Sequence, residues 1–141
     1  MAGVGFDSVT QAREHIKDLL DAAVAGHHAG LRRERQSFAI VDAGRLRKSL
    51  ATSARHAQVV AEADGWSVFI PGTPIAADGR SLQEAVTEMV DALREYAVDW
   101  TDHLSTAANH VSNWGLVQLV ELSTDDELAD WLRSEQLLTT E

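Results

Sequence analysis

The sequence predicts an α+β fold: a helix-hairpin-helix N-terminal unit, then a small β-β-(β)-α-β-α unit. Three observations carry that prediction. Apolar residues recur at helical spacing in several stretches. Short β-favouring runs flank turn signals such as Asp64-Gly65. Capping patterns, of which Ser81-Leu82-Gln83-Glu84 is the fullest, mark helix starts. A chain of 141 residues allows one domain, or two small ones sharing a core.

The first helix is expected from about Val9 to Ala25. Val9, Ala12, Ile16, Leu19, Leu20, Ala23 and Val24 recur at its period, and Gly26 stops it. Ala29 to Arg35 reads as an arginine-rich strand and Gln36-Ser37 as a turn. Phe38-Ala39-Ile40-Val41 reads as the return strand. Asp42 suits a helix N-cap, with Arg45 to Ser53 helical and Leu46 and Leu50 inward. Such a unit has too little apolar surface for a robust core, so dimerisation or packing on the second half is expected.

The second half opens with a strand over Ala57 to Ala63. Val59 and Ala61 lie on one face, and Gln58, Val60 and Glu62 on the other. Asp64-Gly65 turns the chain into Trp66 to Ile70, and Ile75 to Ala77 offers a third short strand. From the Ser81 cap runs a long helix with Leu82, Ala85, Val86, Met89, Val90, Leu93, Ala97, Trp100 and Leu104 on one face. Leu116 to Val120 reads as a final strand. Thr124-Asp125-Asp126-Glu127 opens a last helix with an apolar stripe of Leu128, Trp131 and Leu132. Its first-turn carboxylates favour the helix dipole.

Composition narrows the function classes. No apolar run approaches the roughly 20 residues of a membrane helix, and no signal peptide is evident, so the cytoplasm is the expected location. There are no cysteines, which excludes disulfides, thiolate metal sites and cysteine nucleophiles. The six histidines form no HExxH or other dense ligand pattern, and no G-x-S-x-G elbow is present. No catalytic residue, metal or cofactor is therefore expected, and the chain is not expected to be an enzyme. A net charge of −10 opposes indiscriminate binding to nucleic acid. That total is unevenly spread: residues 1–57 carry nine basic and six acidic side chains, residues 58–141 three and sixteen. A basic head suits phosphates, and an acidic body suits a basic protein.

Family resemblance sharpens this picture. Ser8-Val9-Thr10-Gln11-Ala12-Arg13, Ile16, Leu19-Leu20-Asp21, Ala25-Gly26, Leu31-Arg32-Arg33, Phe38-Ala39-Ile40-Val41 and Leu46 to Leu50 follow one pattern. On these segments, residues 8–50 resemble the Phd/YefM class of bacterial antitoxins. Residues 57–100 are similar to the partial ribonuclease-H-like fold of HicB antitoxins, on Asp64-Gly65, Phe69-Ile70-Pro71-Gly72, Asp78-Gly79 and Ser81 to Ala85.

The resemblance implies a type II antitoxin. It would neutralise a cognate basic toxin and, as a homodimer bound to operator DNA, repress its own operon. The resemblance places Arg13 and Arg33 at DNA-binding positions. Local charge adds Arg32, Arg35, Arg45 and Arg47, and free helix-start N–H groups add Thr10 and Gln11. For the toxin, Leu128, Trp131 and Leu132 would fill a groove, with Asp125 and Asp126 beside them. The expected organisation is 1–54 for dimerisation and DNA binding, 55–122 for the HicB-like unit, and 123–141 for a toxin-binding helix. Two alternatives are an interaction module without DNA binding and a small α+β enzyme or ligand-binding domain.

Overall fold

The structure, a computed structural model, describes the backbone of residues 3–139 and side chains through Ser134. The chain forms two compact units, Met1–Leu46 and Arg47–Glu141. Each is α+β.

The first unit holds β1 (Val4–Phe6), α1 (Val9–Glu14), α2 (Ile16–Val24), β2 (Ala29–Arg33) and β3 (Gln36–Ala39). Its sheet has the order β1-β2-β3, with β1 parallel and β3 antiparallel to β2. The single helix expected over residues 9–25 is broken at His15, whose φ of −122° and ψ of 30° leave the helical region. The Phe6 ring stacks on His15 at 5.0 Å and marks the break. Periodicity survives the interruption, which is why the sequence shows one helix.

The hairpin turn also moves. Arg33 pairs with Gln36, so the loop is Glu34-Arg35, and Gln36-Ser37 belong to the return strand. Glu34 takes a φ of +56°. Positive φ at the first residue of a two-residue loop is ordinarily a glycine position, so the sequence carries no conventional signal there.

This unit's core is thin. Leu19 is its only large side chain that is fully buried among the described residues, with Ala12, Ala22, Ala23 and Ala29 around it. Along α2, by contrast, Ile16, Leu20 and Val24 stand 49 %, 50 % and 69 % exposed at a spacing of four residues. They form an apolar strip on the helix face turned away from Leu19.

A helix α3 (Ala43–Ser53) begins before the boundary and ends after it. Asp42 Oδ2 accepts from the Arg45 backbone N–H at 3.0 Å, as an N-cap does. The second unit continues with β4 (Gln58–Glu62), β5 (Gly65–Phe69), β6 (Ala76–Gly79), α4 (Leu82–Asp99), α5 (Trp114–Leu122) and α6 (Asp125–Thr139). A π-helical turn, Trp100–Leu104, extends α4, and a 3-10 turn, Val111–Asn113, precedes α5. The sheet is a β4-β5-β6 antiparallel meander.

Glu62 pairs with Gly65, so the tight loop is Ala63-Asp64 rather than Asp64-Gly65. Gly65 is needed for space instead. A Cβ there would run into the Gly79 carbonyl, and a Cβ on Gly79 would strike the backbone of Ala85 at the start of α4. The two glycines let β5, β6 and α4 approach closely.

The Ser81 cap forms as expected, its hydroxyl accepting from the Glu84 N–H at 3.1 Å. From it α4 lays Ala85, Val86, Met89, Val90, Leu93 and Ala97 into a core shared with Val68, Ile70 and Ile75. The expected strand at Leu116 to Val120 is a helix. Leu116, Val117, Leu119 and Val120 are all buried within α5, at spacings of one, three and four residues. A five-residue run with four apolar residues reads equally well as a buried strand or a buried helix. The second unit is thus β-β-β-α-α-α after α3. Thr124 and Glu127 open α6 with a reciprocal capping box. The Glu127 N–H donates to Thr124 Oγ1 at 3.1 Å, and the Thr124 N–H donates to Glu127 Oε1 at 2.9 Å.

Candidate functional site

The boundary between the units changes the charge count. Residues 1–46 hold six basic and six acidic side chains and are net neutral. Residues 47–141 hold six basic and sixteen acidic, and so carry the whole net charge of −10. Arg47, Lys48 and Arg55, counted with the basic head in the sequence, lie in the second unit.

The first candidate surface is the β2–β3 hairpin. Strand alternation puts Arg33 on the same face as Phe38 and Gln36, and Arg32 on the opposite face beside Ser37. Arg33 is held there: its Nη2 donates to Gln36 Oε1 at 3.1 Å, and its guanidinium lies 5.5 Å from the Phe38 ring centroid. Arg35 is in the loop. Arg13, on α1, and Arg32 and Arg35 are exposed and have no ion-pair partner among the described residues.

Arg45 and Arg47 are placed otherwise. Arg45 Nη2 donates to the Val24 carbonyl at 3.4 Å, and its guanidinium lies against Gly26, so it caps the C-terminus of α2. Arg47 is only 21 % exposed and pairs with Glu127 at 2.9 Å. Of the two helix-start residues, Gln11 gives its N–H to Ser8 Oγ at 3.1 Å, so that donor is not free for a phosphate. Thr10 is exposed beside it.

The second candidate surface is α6, whose apolar stripe faces inward. Leu128 and Leu132 are fully buried, and Trp131 is 7 % exposed. The Trp131 indole N–H donates to the Ala51 carbonyl at 3.1 Å. These three residues are part of the core of their own unit and present no outward stripe; a core position satisfies the same helical spacing. Asp125 is tied to Arg94, whose guanidinium also donates to the carbonyls of Val120 at 2.6 Å and Ser123 at 2.8 Å. Asp126 remains exposed. The Thr124 backbone N–H, with smaller help from Arg47, holds the Glu127 carboxyl below the usual range.

Acidic surface lies elsewhere on the unit as well. Glu84, Glu88, Asp91, Glu95 and Asp99 recur at helical spacing and are all exposed on α4. The period that exposes them is the one that buries Met89 and Leu93, so the pattern was readable in the sequence. On the sheet face away from α4, Ser67 Oγ lies 2.8 Å from Glu62 Oε1 and 2.5 Å from Asp78 Oδ1. That pairing is set by strand register and has no sequence signature. An open groove of about 600 Å³ is lined by Arg47, His56, Glu127, Asp130 and Trp131, among others, and its walls carry both signs of charge.

Inside the unit a polar triad closes the segment after α4. Asn113 Nδ2 donates to the Tyr96 hydroxyl at 2.8 Å, Tyr96 shares a 2.8 Å hydrogen bond with His110 Nδ1, and the Trp100 indole donates to the His110 carbonyl at 2.8 Å. No helix among the described residues is long and apolar enough to cross a membrane.

Residues 5–112 match the family described as antitoxin of toxin–antitoxin, RelE/RelB, TA system. The fold is similar to the crystal structure of an antitoxin from Syntrophomonas wolfei subsp. wolfei. The two align with a TM-score of 0.73 and 21 % identity over 93 % of this chain and 96 % of the other. No curated protein matches the chain.

Proposed function

The chain belongs to this antitoxin family of toxin–antitoxin systems, and from that premise we propose how its two units divide the work. The second unit binds and neutralises a cognate basic toxin in the cytoplasm, by contact and without catalysis. The first unit dimerises in the manner of Phd/YefM antitoxins and binds operator DNA, which makes the system type II and self-repressing.

One observation carries the reading. The family match runs from the first unit to residue 112 of the second, while the net charge of −10 resides in the second alone. An acidic folded surface steers a basic partner and complements it on contact. The decisive experiment is co-expression with the product of the adjacent gene. Relief of that product's growth arrest supports the reading, and persistent arrest refutes it.

Two expected results test the first unit. The Ile16, Leu20, Val24 strip beside a thin core supports a homodimer. Leu20→Glu is expected to shift the sedimenting species from dimer to monomer; an unchanged dimer would place the interface elsewhere. For DNA, Arg13→Ala and Arg33→Ala are each expected to weaken a gel shift with upstream DNA. In a dimer each change removes two phosphate contacts and should flatten the log–log salt slope by about two. The net neutrality of this unit, with Arg32 and Arg33 on opposite strand faces, favours a second reading as a dimerisation module alone. Absence of any shift at low salt would select it.

A further inference from the structure

We propose that the open edge of β4 is where the toxin docks, by adding a basic extended segment as a fourth strand beside it. The proposal rests on the antitoxin reading above and names the surface that reading leaves open.

The edge follows from register. Glu62 and Gly65 pair across a two-residue loop, and only a mutually hydrogen-bonded pair can close so short a turn. Alternation then turns the backbone groups of Glu62, Val60 and Gln58 toward β5. Those of Val59 and Ala61 point outward, away from the sheet. β4 is an edge strand, and no hydrogen bond occupies the outward N–H and C=O groups of Val59 and Ala61 among the described residues. Such a row is a template for another strand, which folded proteins ordinarily cover or block with charge or proline.

Side chains say what kind of strand fits. The outer sheet face shows Val60, 42 % exposed, next to Glu62 on the same strand. The Ser67 hydroxyl lies within hydrogen-bond distance of both Glu62 and Asp78 but has one proton, so it can donate to only one of the two carboxylates at a time. The adjoining hollow, of about 310 Å³, adds Asp64 and Glu84 and has Arg80 as its only basic lining residue. A partner strand carrying an apolar residue against Val60 and a lysine or arginine toward Glu62 meets both demands. A second copy of this chain could offer its own Val60 but fails the second demand, because it would bring Glu62 and a second unit of net charge −10 to the same edge.

Purified product of the adjacent gene is the probe, titrated against the full chain and three variants. Val60→Lys puts a charge on the exposed face. Ala61→Pro removes an outward N–H and leaves the β4–β5 bonds intact. Thr87→Lys, on the exposed side of α4, is the charge-matched control. Val60→Lys and Ala61→Pro are expected to weaken binding by about 100-fold, and Thr87→Lys by less than about threefold. Circular dichroism and a thermal melt of each variant keep misfolding apart from lost docking; should Ala61→Pro fail to fold, Val60→Lys decides. Full binding by both edge variants overturns the docking edge while the antitoxin reading stands. Failure of the unmodified chain to bind overturns that reading and the edge with it. A Val60→Lys change that dissolves self-association but spares toxin binding also overturns the proposal, by making a second copy the occupant.

Discussion

Replacing Trp131 by alanine is expected to destabilise the second unit by about 3–5 kcal/mol, the usual loss for a large buried aromatic. Trp131 is 7 % exposed, and its indole N–H is bonded to the Ala51 carbonyl. The change opens a cavity beside Leu128 and Leu132 and orphans an acceptor on α3. Urea unfolding followed by circular dichroism measures the effect. The result also decides between two roles for the α6 stripe. A residue waiting to enter a toxin would lose binding at unchanged stability. A core residue loses stability first, and its binding defect disappears under conditions that keep the variant folded. A midpoint unchanged by the substitution would show that Trp131 does not hold α6 to its own unit.

Arg94→Met is the second large expected effect. Arg94 spends its guanidinium on the carbonyls of Val120 and Ser123 and on the Asp125 carboxylate, at distances of 2.6 to 3.0 Å. It fastens the α5–α6 junction. Hydrogen bonds from charged donors contribute about 1.5–3 kcal/mol each, but this side chain is 36 % exposed and water screens its ion pair. The expected net loss is about 2 kcal/mol by thermal or urea unfolding. Methionine keeps much of the apolar stem, so packing changes little and the missing bonds dominate. Arg94→Lys retains the charge without the planar fork and should fall between the two. A methionine variant as stable as the parent would mean that water satisfies both carbonyls equally well.

Much of the fold was legible because its signals are local. Ser81 and Glu84 announced α4, Thr124 to Glu127 announced α6, and apolar periodicity named the buried side of α4. The failures came where the deciding contact is distant in sequence. Leu116 to Val120 became a helix because it is buried within a helical core, and its composition does not reveal that. The positive charge on Arg45 and Arg47 was readable, but not that one caps α2 and the other pairs with Glu127. Leu128, Trp131 and Leu132 form a correct stripe whose direction periodicity alone leaves open. At β4 the alternation puts Val60 on one face with Gln58 and Glu62, without saying which face is outward. What was missing was Ser67 between two carboxylates, which needs the register of three strands.

Gly65 and Gly79 carry a lesson of another kind. Each lies near the surface, yet the space a side chain would need is already filled by backbone. Any single-base change that replaces either glycine therefore forces strand and helix apart. Sequence variation within the family should accordingly skip these two positions, and a homologue lacking them would have to carry a compensating deletion or a longer loop ahead of α4.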